Sequence, residues 1–357
     1  MSVIPPFLAT GIGSMPYEDA ERAVELSLRH FTEAPFWPQL QKLGLNEQMA
    51  PQYSEGIPRV RVDRERKRLV CDTSGDYSGD LSGFYEQYLL AMDPEGGTGD
   101  CGALAISPAF ARGLHVFEEH LRRMEGRLPF VKVQTTGPCT FALSIPDQTD
   151  RAIFFHHEFR DVAVKAMAMK CRWQIQKFQP FARKVICFLD EPVLSAYGSS
   201  AYVGVSREDV IAALSEVIQA VHSEGAIAGV HCCGNTEWSI LAEAGVDMIN
   251  FDAFEFGETI AMYPDAIRAH LERGGMLAWG VVPTSEAIRE QTVESLAAHL
   301  EEMMENLARK GISKELILES AAVTPSCGTG TMAPCDAEKV FEVTAALSRF
   351  LREKHRR

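Results

Sequence analysis

The stretch AIAGVHCCGN (Ala226–Asn235) runs from apolar residues into His231, Cys232, Cys233 and Gly234. An imidazole and two thiols at the end of an apolar run are either packing residues, since cysteine behaves as a small hydrophobe, or half of a metal site. On an extended chain residues i and i+2 point the same way, so His231 and Cys233 share a face and Cys232 turns to the other. A third soft donor, Cys327, stands far along the chain in Ser326-Cys327-Gly328. One imidazole and two thiolates suit zinc. The fourth ligand could be Asp252, at the end of a neighbouring strand, or Glu255 three residues on. A weak or displaceable fourth ligand leaves a coordination position for a substrate atom, which separates catalytic zinc from structural zinc.

Such donors meet only if the fold gathers them. Short apolar runs alternate with longer helical ones, the pattern of a parallel sheet with crossover helices. Candidate strands are Phe7–Gly11, Leu69–Cys71, Phe130–Gln134, Val185–Leu189, Ala226–His231, Met248–Phe251, Met276–Val281 and Leu316–Glu319. Most carry Val, Ile or Phe without polar alternation, as strands covered on both faces do. Helical segments between them include Tyr17–Phe31, Ile153–Phe178, Arg207–Ser223 with Ser206 as its N-cap, Ser285–Arg309 and Asp336–Arg352. Eight strands in this alternation predict an α/β (β/α)8 TIM barrel, one domain over residues 1–357. Glu33–Gly83 and Asp93–Gly113, rich in Gly, Pro and polar residues, read as long βα excursions over its C-terminal face. Gly11-Ile12-Gly13-Ser14, Gln134-Thr135-Thr136-Gly137-Pro138, Asp190-Glu191-Pro192, the His-Cys pair, Asp252 and Ser326-Cys327-Gly328 then all fall at strand carboxyl ends, where barrel enzymes keep their chemistry. Trp279 reads equally as a cavity wall or as barrel filler.

Composition narrows the partners. The 357 residues carry a formal net charge of -14 and no dense basic run, a field that repels nucleic acid. No apolar stretch approaches a membrane span, and the start MSVIPPFLATGIGSM lacks the basic and apolar regions of a signal peptide. The nine cysteines do not form a short secreted framework, so a cytoplasmic protein with reduced thiols is expected.

Gly11-Ile12-Gly13-Ser14-Met15-Pro16, Asp190-Glu191-Pro192, His231-x-Cys233 and Ser326-Cys327-Gly328 resemble, in the same chain order, the catalytic half of cobalamin-independent methionine synthase. That family lies within the superfamily that includes uroporphyrinogen decarboxylase, and the resemblance spans Thr10 to about Thr331. It implies that zinc, held by His231, Cys233 and Cys327, binds and activates the thiol of homocysteine. Asp252 stands where the family has a Glu, one methylene longer, with Glu255 in reserve. The resemblance further implies that Ile12, Gly13 and Ser14 receive the amino acid's carboxylate and that Asp190 pairs with its ammonium. Gln134 ends an inward-facing strand and is a candidate pocket residue. The synthase's second, folate-binding barrel has no counterpart here, so the chain is closer to short "core" relatives and to corrinoid-dependent thiol methyltransferases. In those, methylcobalamin or a corrinoid protein donates the methyl group.

The expected activity is therefore zinc-dependent methyl transfer to a small thiol, from a corrinoid or other non-folate donor. Two other readings stand beside it. A uroporphyrinogen decarboxylase-like lyase needs no zinc and would grip carboxylates with Arg59, Arg61, Arg64 and Arg112. A non-catalytic relative would bind zinc and thiol without turnover. Without the resemblance, Asp190-Glu191-Pro192 also reads as a strand-ending turn with solvated acids.

Overall fold

The computed structural model describes residues 4–92, 99–199 and 202–355. These form nine strands: β1 (Leu8–Ala9), β2 (Val60–Asp63), β3 (Arg68–Cys71), β4 (Leu128–Thr136), β5 (Ala182–Asp190), β6 (Ile227–Cys232), β7 (Met248–Phe251), β8 (Met276–Val282) and β9 (Ala321–Pro325). Seven make one parallel sheet in the order β1-β9-β8-β7-β6-β5-β4. Helices lie between successive strands and cover the outer face, giving the curled sheet of a TIM-like barrel. Among the described residues, no helix is long and apolar enough to cross a membrane.

The strand ladder is open between β1 and β4. The extended segment 33–39 runs through that gap, accepting from Phe130 N at the Glu33 carbonyl and from Lys132 N at the Pro35 carbonyl (2.9 and 2.8 Å). On its other side Gln39 N donates to the Gly13 carbonyl (3.0 Å) and the Gln39 carbonyl accepts from Met15 N (2.9 Å). Pro35 and Pro38 bring no N–H, so a continuous ladder cannot form here. Leu69–Cys71, expected in the barrel, instead lies in β3, paired antiparallel with β2 in a separate hairpin. Its burial alternates along the strand, as it does where only one face is covered.

Leu316–Glu319, expected as a strand, belongs to the helix Lys314–Glu319, capped by the Ser313 hydroxyl on Leu316 N. The strand begins just after it. Its residues AAVTP have modest strand preference, and pairing with β1 and β8 decides their conformation. The other six strand expectations hold, and the helix Arg207–Ser223 starts where expected, with Ser206 Oγ accepting from Asp209 N at 3.0 Å.

Inside the barrel, Leu8, Phe130, Ile186, Phe188, Met248, Met276, Ala278 and Ala322 form an apolar plug. Gly229 makes room for it: a Cβ there would meet the Phe188 ring at 2.3 Å. Toward the carboxyl mouth the buried side chains turn polar, with Lys132, Gln134, Asp190, His231, Asn250 and Thr324. Of the two expected excursions, the first supplies segment 33–39, the β2–β3 hairpin and the start of the helix Ser78–Met92. The opening residues of the second, 93–98, lie outside the described residues.

Candidate metal centre

β6 ends at Cys232, so His231 still points into the barrel while Cys233 follows at the mouth. Cys232 turns outward into the apolar layer beneath the helices, as the alternation requires. Cys327 follows β9 by two residues. One nitrogen of His231 and the sulfurs of Cys233 and Cys327 all lie within 4.8 Å of one another. Three donors that close can share one ion.

The state of the imidazole follows from its neighbour. Asn250 is paired with His231 across β6 and β7. Its Nδ2 donates to the Ala278 carbonyl (2.8 Å) and to Thr324 Oγ1 (2.7 Å). A carbonyl only accepts, so the amide orientation is fixed and Asn250 Oδ1 faces His231 Nδ1 at 2.6 Å. Nδ1 therefore carries a proton, and in the neutral ring Nε2 presents a lone pair. Nε2 is buried and has no hydrogen-bond partner. An outer hydrogen bond that fixes the tautomer of a ligating histidine is a regular part of metal sites. Asn250 was not among the candidates from sequence. A polar residue inside the apolar run Met248–Phe251, facing the same way as Met248, was the available signal.

The cluster also pulls on protons. The Cys327 thiol, then the His231 imidazole, hold Cys233 down at about 4. Cys327 is pushed up by its hydrogen bond with Cys233, then by burial. Burial lowers His231, but Cys233 and Asp190 outweigh it and leave the imidazole above its ordinary value. These donors gather negative charge around a buried, unpartnered nitrogen, and a soft divalent cation is the species such a set holds best.

Asp252, expected as a fourth ligand with Glu255 in reserve, is engaged elsewhere. Asp252 Oδ1 accepts from Glu255 N at 3.0 Å, capping the short helix Ala253–Phe256, and burial pushes its carboxyl up to about 6. Among the described residues, neither Asp252 nor Glu255 joins His231, Cys233 and Cys327 in the donor cluster. An N-cap needs its carboxylate turned back on its own helix.

A cavity of about 250 Å³ opens beside the cluster, lined by Ile12, Ser14, Gln39, Gln41, Met49 and Asp190 together with the three donors. The Ser14 turn and the Cys327 loop are stitched together. Thr329 N (2.9 Å) and Thr329 Oγ1 (3.0 Å) donate to the Ser14 carbonyl, and Gly330 N donates to Ser14 Oγ at 3.3 Å. Gly328 permits this contact, because a Cβ there would sit 2.0 Å from Ser14 Oγ. Gly13 lies behind the lining at φ +150°, pressed against Gln39 and Gln134.

The acids of Asp190-Glu191-Pro192 are buried, not solvated. Asp190 Oδ1 has no hydrogen-bond partner, and burial raises its carboxyl against the opposing charges of Lys132 and His231. Glu191 turns the other way and caps the helix Pro138–Ser144, accepting from Cys139 N (2.9 Å), Thr140 N (2.7 Å) and Thr140 Oγ1 (2.6 Å). Burial pushes Glu191 up to about 7. Gln134 does not line the cavity: its Oε1 accepts from Lys132 Nζ (3.0 Å) and its Nε2 donates to the Trp37 carbonyl (2.9 Å). Gln39, from the segment filling the ladder gap, lines the cavity where Gln134 was expected. Trp279 packs outward against Phe251, with ring centroids 5.2 Å apart, and is not a cavity wall.

Fold and site together define a TIM-like barrel with a His/Cys/Cys cluster at its carboxyl mouth. The same fold occurs in a methyltransferase from Methanosarcina mazei, at TM-score 0.58 and 15% identity over 97% of this chain and 94% of that one. It occurs also in a B12-independent methionine synthase from Shewanella sp. W3-18-1, in complex with selenomethionine, at TM-score 0.52 and 11% identity over 98% of each chain. No protein-family model and no curated protein matches the chain.

Proposed function

We propose that this protein is a zinc-dependent methyltransferase that moves a methyl group to a small thiol, homocysteine being the first acceptor to try, from a corrinoid or other non-folate donor. The observation that carries this reading is the convergence of His231, Cys233 and Cys327 within 4.8 Å, with the free His231 Nε2 beside two sulfurs. The two solved structures that share the fold, named as a methyltransferase and a methionine synthase, support the reaction class.

His231, Cys233 and Cys327 would hold the metal. When bound, zinc supplies the deprotonation of a thiol whose free pKa is about 8.5 and leaves its sulfur nucleophilic. The chain's own residues do the rest. Asp190, which lines the cavity and has a buried oxygen without a partner, holds an ammonium. Ile12 and Ser14, fixed by the Cys327 loop, receive the carboxylate end. With both ends held, the sulfur lone pair forms the new bond to the methyl carbon, and the donor departs with the electrons of the broken bond. Such an in-line transfer depends chiefly on positioning.

The lyase reading lacks its grip. None of Arg59, Arg61, Arg64 or Arg112 lines the cavity, and Arg59 is bound to Asp80 at 2.5 Å. The test is a transfer assay on protein of known zinc content, with methylcobalamin, a methyl folate and a methyl sulfonium each offered to homocysteine. Methionine formed from methylcobalamin is expected. Zinc and thiol bound without turnover from any donor would establish the non-catalytic reading instead. Carbon dioxide released from uroporphyrinogen would establish the lyase.

A further inference from the structure

Lys132 is a buried ammonium with no part in the reaction described above. It projects from β4 into the barrel, fully buried, beneath the cavity. Its Nζ donates to the carbonyl of Ile12, a cavity residue, and to Gln134 Oε1 at 3.0 Å. It also stands 4.8 Å from the centroid of the Phe188 ring. Gln134 is itself oriented by the Trp37 carbonyl, so its oxygen is the atom left for Lys132. These partners are all neutral.

Burying an ammonium among neutral groups costs several kcal/mol unless a countercharge stands near. Lys132 pairs with Ile186 across β4 and β5, and Asp190 lies further up β5 on the same interior face. Asp190 is the carboxylate that acts on Lys132, and Lys132 is the foremost charge opposing the burial of Asp190. Asp190 thus faces Lys132 through the barrel and also lines the cavity, with one buried oxygen that has no hydrogen-bond partner.

We propose that Lys132 is a positioning residue that sets the charge balance of the acceptor site and makes it selective for a thiol carrying both an ammonium and a carboxylate. This rests on the thiol-acceptor reading above. Lys132 and Asp190 carry opposite charges on one interior face and sum to zero, and a zwitterionic acceptor keeps the buried region neutral. A thiol with only a carboxylate leaves Asp190 facing a second negative charge. A thiol with only an amine leaves two cations on one carboxylate. Through the Ile12 carbonyl, Lys132 also fixes the turn that meets the acceptor's carboxylate.

The test uses cobalt(II)-loaded protein and follows the rise of the thiolate-to-cobalt absorption band above that of Cys233 and Cys327 alone, which reports acceptor binding without a methyl donor. The acceptors are homocysteine, homocysteine without its carboxylate, homocysteine without its amine, and propanethiol. Wild type is expected to bind homocysteine at least about tenfold more tightly than either singly charged thiol. In Lys132→Met the cobalt content stays as in wild type, and the preference for homocysteine over the amine-only thiol disappears or reverses. If Lys132→Met does not fold, the double variant Lys132→Met/Asp190→Asn, which keeps the region neutral, is expected to bind propanethiol as tightly as homocysteine. An unchanged order of acceptors in either variant overturns the inference while leaving the metal and thiol reading intact. A wild type whose band does not change with any thiol overturns both.

Discussion

His231 Nδ1 lies 2.6 Å from Asn250 Oδ1, and the Asn250 amide is pinned the right way round by the Ala278 carbonyl and Thr324. This pairing puts a proton on the far nitrogen and leaves Nε2 beside Cys233 and Cys327, the arrangement that a metal-binding histidine needs. Asn250→Leu is therefore expected to weaken zinc binding by about 10–100-fold, with Asn250→Asp, which keeps an acceptor for Nδ1–H, losing less. Competition with a calibrated chelator measures both. Equal affinities in wild type and Asn250→Leu would remove Asn250 from the site.

Asp190 separates acceptor binding from metal binding. It lines the cavity and has a buried oxygen without a hydrogen-bond partner, yet it stands outside the donor cluster. Asp190→Asn should keep its zinc and raise the KM for an amino-acid thiol by about tenfold or more, as the loss of a charged hydrogen bond does. Zinc analysis alongside steady-state kinetics checks this. Loss of zinc in Asp190→Asn would place the carboxylate in the metal shell instead.

Gly137 is open to a stability test. A Cβ there would lie 2.2 Å from Glu191 Cδ, so Gly137→Ala must displace the carboxylate that caps the helix Pro138–Ser144. Overpacking a fully buried site typically costs about 1–3 kcal/mol. Urea unfolding should show a loss of this size, and a variant as stable as wild type would mean that Glu191 is free to move.

Glu191 also gives a pH signature. Burial raises it in the folded state to about 7, from an ordinary value of 4.5. The folded protein then binds this proton more tightly than the unfolded chain. Its contribution is full below the unfolded value and is lost as pH rises through the folded one. The stability of wild type relative to Glu191→Gln should therefore fall between about pH 4.5 and pH 7. Denaturant titrations across that window measure the difference. A difference that grows with pH would mean the three donors on Glu191 outweigh its burial.

Much of this was legible in the chain, for identifiable reasons. The extended-chain alternation at His231-Cys232-Cys233 fixed which thiol faces the mouth, and the apolar runs of β4 to β8 marked five barrel strands. What was hidden depended on tertiary partners. Segment 33–39 carries two prolines and reads as loop, yet it occupies the gap in the ladder and brings Gln39 to the cavity. Asp252 looked like a ligand because it ends a strand, whereas the short helix after it claims the carboxylate as a cap. Glu191, just past the end of β5, and Lys132, in the middle of β4, gave no periodic signal, since each finds a partner on another element.

The central claim, that His231, Cys233 and Cys327 hold one zinc ion, is tested most directly by elemental analysis of purified wild type, His231→Ala and Cys327→Ala. The account predicts about one zinc per wild-type chain and a loss of most of it in each variant, with circular dichroism showing the barrel intact. Equal zinc content in all three proteins, whether negligible or stoichiometric, would contradict it.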